Sequence, residues 1–410
     1  MTTRRADPGD SERAEYLREV CALLWPAPAR TVLTSSRAEP AGPGDSELIV
    51  LPGLRRPRLV VPHERKASAA AVIGYGKPVS AVSKVAARTL AVALASGLGS
   101  ALLRDRLLVR VPAGGQTIEA YLSDVLGQRI TISMHLGAAR ANRKPVLQLL
   151  TAAGDTVGYA KIGVSPLTAD LVRAEHAALT RLAAASFTRI ELPRVLDYGD
   201  WRGLAVLVLT PLPVRRRRVP VRPARLAPAM AELAGSDGLR AAPLAASEYW
   251  RELGTRLDGL PGGPDADALR TALGKLASRA GGTELCFGSW HGDWTPWNMA
   301  STAGGLLVWD FERFAAGVPV GFDALHYWLQ EQVVPGRRDP AATAAQSVRR
   351  APALLEPFGV APPCARLTAL VYLAELSVRY LADRQEHAGA RLGAPRRWLI
   401  PALTAGASQL

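Results

Sequence analysis

Two apolar runs joined by a polar loop constrain this chain more than any other stretch. The first, Leu285, Cys286 and Phe287, leads into residues 289–299, Ser-Trp-His-Gly-Asp-Trp-Thr-Pro-Trp-Asn-Met. The second, residues 306–309, ends at Asp310. Read as strands, they deliver Asp293, Asn298 five residues later, and Asp310 at the end of the next strand. An aspartate in the first position can orient a hydroxyl and accept its proton. An Asn and a second Asp can hold magnesium on nucleotide phosphates. The set suits phosphoryl transfer.

The chain has 410 residues, room for two domains or for one large bilobal domain with an extension, and its 48% hydrophobic content supports a sizeable core. A formal net charge of +14 favours polyanions or anionic substrates and says nothing about fold. Cys21, Cys286 and Cys364 are too few for a disulfide framework, and none has metal-ligand spacing with another Cys or His. The N-terminus lacks the apolar run of a signal peptide, so a reducing cytoplasm is the expected location. The longest uncharged apolar stretch, residues 89–103, falls short of the roughly 20 residues a membrane span needs. It reads as a buried helix, with a membrane-surface helix as the alternative, and no transmembrane segment is expected.

His291-Gly-Asp, four residues, then Asn298, with Trp309-Asp310-Phe-Glu312 behind it, resembles the catalytic and metal loops of the aminoglycoside phosphotransferase and choline kinase-like superfamily. The resemblance covers residues 129–410. It implies an α+β, bilobal, protein-kinase-like fold with a small β-rich N-lobe and a helical C-lobe. It also implies ATP and Mg2+ as cofactors and a small-molecule hydroxyl acceptor of antibiotic, sugar or amino alcohol type, with no nucleic acid partner. Asp293 is then the catalytic base, Asn298 and Asp310 are the metal ligands, and His291 braces the loop. Trp294 departs from the family loop, which has smaller residues there; it lines an acceptor pocket or packs in the core. Gly321-Phe-Asp-Ala-Leu325 resembles the segment after the metal aspartate, where Asp323 would cap a helix and brace the catalytic loop.

Residues 1–128 form an extension without a chemical motif, read as a small α+β domain with helices at 11–24, 80–103 and 117–126 and strands at 47–51, 58–61 and 107–111. Lys77 between glycines lacks the strand and the Ser or Thr of a phosphate loop. From 129 to 213 the rhythm is that of the implied N-lobe: strands at 130–136, 145–150 and 157–162, then a helix with Ser165 as cap and Pro166 in its first turn. The loop at residues 137–143, with Gly137 and Asn142, would cover the phosphates; it has one glycine where protein kinases have three. Lys161 takes the position of the lysine on the α- and β-phosphates. Glu175 falls on the helix's apolar stripe with Leu171, Ala178, Leu179 and Leu182, and a buried carboxylate needs a cationic partner, for which Lys161 is the candidate. Two more strands reach a hinge at residues 210–213, where adenine would bind.

Residues 214–410 form the implied C-lobe. Six arginines at 215–218, 222 and 225 mark either an anion-binding segment or a solvated loop, the reading preferred here. Glu375 and Arg379 are four apart on a helix at 365–381 and are expected to pair; Glu375 and Tyr380 are acceptor candidates. Three other functions fit parts of the pattern. A protein kinase lacks support, since no activation segment separates Asp310 from the next helix. A nucleotide-binding pseudoenzyme scaffold and a polyanion-binding module built on the arginines are the others.

Overall fold

The computed structural model describes residues 8–36, 42, 45–74, 81–214, 216–336 and 338–410; Lys77 and Arg215 lie outside them. The chain forms two compact units, Met1–Val172 with Val195–Pro211, and Arg173–Arg194 with Leu212–Leu410.

The first unit opens with α1 (Pro8–Leu24), β1 (Arg30–Thr34), β2 (Ser46–Leu51) and β3 (Leu59–Pro62). The helices α2 (Arg65–Gly74), α3 (Ala81–Ser96) and α4 (Leu98–Leu102) follow, then β4 (Arg106–Arg110) and α5 (Ile118–Leu126). Next come β5 (Thr131–His135), β6 (Val146–Leu150), β7 (Thr156–Gly163) and the start of α6 (Pro166–Leu182). After β8 (Ile190–Glu191), which belongs to the second unit, β9 (Val195–Trp201) and β10 (Leu204–Leu209) return to the first.

Its nine strands make one sheet in the order β1-β4-β2-β3-β5-β6-β7-β10-β9. Strands from before and after residue 128 meet where β3 runs antiparallel to β5, Leu59 opposite His135 and Val60 opposite Met134. Residues 1–128 are thus no unit apart from the strands that follow. Strands β2 and β3 are buried on both faces, which is why residues 48–51 and 59–61 read as unbroken apolar runs. Leu48 and Val50 of β2 join a core with Leu17 and Leu24 of α1 and Leu122 of α5. Ile49 and Leu51 point the other way, into a core with Ala71 of α2 and Leu94 of α3. The single helix expected over 80–103 is two, because Gly97 at φ 86 turns the chain between α3 and α4. The start of α6 is as expected: Ser165 Oγ accepts from Thr168 N–H, and Thr168 Oγ1 accepts from Ser165 N–H.

The second unit holds α7 (Pro223–Ala234), β11 (Arg240–Pro243), α8 (Glu248–Asp258), α9 (Pro264–Ala280), β12 (Glu284–Trp290), β13 (Met299–Thr302), β14 (Gly305–Val308) and β15 (Ala315–Pro319). It ends with α10 (Phe322–Val333), α11 (Pro340–Leu355), α12 (Pro362–Ala382) and α13 (Leu399–Gln409). Two three-stranded sheets, β11-β12-β15 and β13-β14-β8, hold the strands on either side of residues 291–298. Leu285 and Phe287 of β12 pack into a core with Leu253 of α8, Leu325 of α10 and Leu376 of α12. The arginine segment is not a free loop. Val219 N–H donates to the Ser301 carbonyl, Arg216 pairs with Glu191 at 2.8 Å, and α7 begins right after Arg222. Pro223 in the first turn supplies the helix start that the run of charge hid in the sequence. The mixed α+β class expected from the sequence is the one observed.

Candidate active site

Residues 291–298 turn between β12 and β13 and hang on three anchors. Gly292 takes φ 81, and a Cβ there would stand 2.0 Å from the Arg313 carbonyl oxygen, so only glycine fits. Asp323 accepts both the His291 N–H, at 2.7 Å, and the Gly292 N–H, at 3.2 Å. Arg379 of α12 donates to the Gly292 carbonyl at 2.6 Å and lies 5.7 Å from the Trp290 ring centre. Gly292 is thereby held through both its backbone polar groups.

Asp323 braces the loop as the sequence implied, but it does not cap α10. The residue at the cap is Gly321, at φ 101, and Asp323 sits inside the first turn with its carboxylate turned to the loop. Burial pushes its pKa up to about 7, aided by the charge of Asp293 and opposed by the two N–H donors and Arg379.

His291 is a brace. Its Nδ1 accepts from the Asp293 N–H at 3.1 Å, so the proton is on Nε2, which donates to the Trp309 carbonyl at 3.0 Å. Burial lowers its pKa to about 4, so the ring is neutral at ordinary pH. Trp294 is fully buried with its indole N–H on the Met299 sulfur at 3.3 Å, which makes it core packing.

Asp293 keeps its side chain 33% exposed while both its oxygens are engaged. Asn298 Nδ2 donates to Oδ2 at 2.8 Å and to the Asp293 carbonyl at 3.0 Å. His326 of α10 donates from Nε2 to Oδ1 at 3.0 Å. Because a carboxylate only accepts, His326 carries its proton on Nε2, and its Nδ1 accepts from Tyr372 O–H at 2.9 Å. Burial alone would raise the Asp293 pKa; the His326 hydrogen bond and the charge of Arg379 outweigh it and hold the carboxyl below its usual range. Burial lowers the pKa of His326, against the opposing pull of Asp293. A partly exposed, ionised carboxylate fixed on both oxygens can take a proton from a bound hydroxyl.

His326 and Tyr372 were missed in the sequence. The signal was spacing: His326 is three residues after Asp323, so both face the 291–298 loop from one side of α10. Arg379 was seen but given the wrong partner. Glu375 is held by Arg256 at 2.5 and 2.8 Å and by Tyr249 O–H at 3.1 Å, which frees Arg379 for Gly292 and occupies Glu375 in a structural link between α8 and α12.

Asp310 follows β14 at φ 76, a left-handed conformation rare outside glycine and found at functional sites. Glu175, Asp310 and Glu312 bring carboxylate oxygens within 4.8 Å of one another. Like charges this close favour a cation among them, so the donor set fits a hard divalent ion. Glu175, fully buried as its stripe predicted, accepts from the Phe311 N–H at 3.1 Å. In the first unit, Lys161 is buried on β7 between Val146 and Leu207 of the neighbouring strands, and Gly137 and Asn142 lie in the β5–β6 loop.

No protein-family model and no curated protein matches the chain. The crystal structure of aminoglycoside phosphotransferase APH(4)-Ia is similar over 70% of this chain and 98% of its own, at 13% identity and a TM-score of 0.46. A candidate fructosamine-3-kinase from Thermobifida fusca YX-ER1 matches over 72% of this chain and 99% of its own, at 18% identity and a TM-score of 0.44. APH(3'')-Id from Streptomyces rimosus ATCC10970, solved with ADP and streptomycin, matches over 57% and 90%, at 18% identity and a TM-score of 0.36. These three solved structures are two aminoglycoside phosphotransferases and a candidate fructosamine-3-kinase.

Proposed function

We propose that the protein transfers the γ-phosphoryl group of ATP to a hydroxyl of a small molecule. The observation that carries this is Asp293: a partly exposed carboxylate clamped by His326 and Asn298 on a loop that Asp323 and Arg379 hold from both sides. In this reading Asp293 orients the acceptor hydroxyl and takes its proton as the phosphoryl group moves. A magnesium ion held here would supply positive charge to neutralise the nucleotide phosphates. Asp310 and Asn298 are the residues proposed to hold it, with Glu312 near enough to Asp310 to share the charge. Lys161 is assigned to the phosphates, Glu175 to holding Lys161, and the loop of Gly137 and Asn142 to covering the nucleotide. His326 is a positioning residue: it acts on the acceptor only through Asp293.

A small-molecule acceptor is preferred to a protein because only β15 lies between Asp310 and α10, leaving no activation segment to seat a peptide. The test is ADP release from Mg·ATP across a library of hydroxyl-bearing metabolites and antibiotics. The reading requires acceptor-dependent release that Asp293→Asn abolishes. Nucleotide binding without release on any acceptor would instead make the protein a pseudoenzyme.

A further inference from the structure

Among the described residues twelve large apolar side chains are exposed, and the four most exposed are Leu102 at 77%, Val92 at 68%, Leu98 at 65% and Val85 at 63%. All four belong to α3 and α4, and Ile73 at the end of α2 adds a fifth. On α3, Val85, Arg88, Thr89 and Val92 share one face at helical spacing, opposite Ala91 and Leu94, which enter the core. Gly97 then turns the chain, and Leu98 and Leu102, four apart, are exposed on α4. Scattered surface leucines need no explanation; the four most exposed large apolar side chains falling on two consecutive helices do.

Between the acids Glu64 and Asp105 the charge along this stretch of sequence has one sign. From residue 65 to 104 the sequence holds six bases, Arg65, Lys66, Lys77, Lys84, Arg88 and Arg104, and no acid. Arg88 is exposed between Val85 and Val92, and Arg104 is exposed two residues beyond Leu102. The Arg65 guanidinium carbon lies 2.7 Å from where a Cβ of Gly97 would be, which sets it beside Leu98.

We propose that the α3–α4 face docks on the surface of an anionic lipid bilayer. Such a surface offers acyl chains for Val85, Val92, Leu98 and Leu102 and negative headgroups for Arg65, Arg88 and Arg104. A second copy of the chain would oppose the same positive rim to itself, on a molecule already at +14. No helix among the described residues is long and apolar enough to cross a membrane, so the contact is peripheral.

The experiment is vesicle flotation of the full chain with phosphatidylcholine alone and with added phosphatidylglycerol. The intact chain is expected to float with the anionic vesicles only, less so at raised salt. The variant Val85→Ser/Val92→Ser/Leu98→Ser/Leu102→Ser should lose about tenfold or more in partition, with an unchanged unfolding midpoint because these side chains are already in solvent. A second variant, Arg88→Glu/Arg104→Glu, keeps the apolar face and should also lose binding to the anionic vesicles. Equal flotation of the parent and the serine variant would overturn the proposal in favour of net charge alone. Flotation of neither would overturn it, as would a dimer seen by sedimentation in the parent, absent in the serine variant and accompanied by no vesicle binding.

Discussion

At the residue scale the arrangement depends on few atoms. The hydrogen bond from His326 does most to depress the Asp293 pKa. His326→Gln should therefore raise that pKa and move the acid limb of the rate profile to higher pH. A hydrogen bond to a charged group contributes about 1.5–3 kcal/mol, so turnover should fall by roughly ten- to a hundredfold. Mg·ATP affinity should hold, since His326 is assigned no nucleotide contact. A pH–rate profile beside nucleotide titration checks this; a fall in turnover with an unmoved acid limb would give His326 a packing role only. Gly292→Ala brings a Cβ 2.0 Å from the Arg313 carbonyl at a positive φ. It should lower stability by about 2 kcal/mol or more, read as a fall in unfolding midpoint. Asp293, Asn298 and Asp310 were legible because their spacing is local to one loop and one strand end. His326, Tyr372 and Arg379 come from helices packed on that loop, and a lone histidine on a helix carries no mark of the partner that folding brings to it.

At the element scale α12 links the 291–298 loop to the helical core. Glu375 is buried and would gain a proton by burial alone, yet the Arg256 hydrogen bonds and charge hold its pKa below the ordinary value. A carboxyl whose folded pKa is depressed contributes stability that is present above its unfolded pKa of about 4.3 and lost as pH falls below it. Glu375→Gln should remove that acid dependence and destabilise the fold by about 1–3 kcal/mol. Denaturant titrations of both proteins at pH 7 and near pH 3 read it: the gap should be wide at pH 7 and narrow in acid. Most strands and helices were legible from periodicity. The α3–α4 break and α7 were not, because Gly97 sits in an otherwise continuous apolar run and Pro223 follows a run of arginines that reads as solvated. The order of the nine-stranded sheet was not legible either, since pairing β3 with β5 joins segments about seventy residues apart through contacts no local pattern records.

At the scale of the whole molecule, the proposed function assigns Lys161 to the phosphates and Glu175 to Lys161. If they act as a pair, Lys161→Met and Glu175→Gln should each lower turnover, and the double variant should be little worse than Lys161→Met alone. Additive losses would mean that they work independently.

The central claim is the division of labour between two aspartates, and nucleotide-binding calorimetry beside turnover tests it most directly. Asp293→Asn removes the proton acceptor and should cost about 10²–10⁴-fold in turnover while Mg·ATP binds nearly as to the parent. Asp310→Asn removes a proposed metal ligand and should weaken Mg·ATP binding and raise the magnesium requirement. Lost nucleotide affinity in Asp293→Asn with retained affinity in Asp310→Asn, or turnover unchanged in both, would contradict the account.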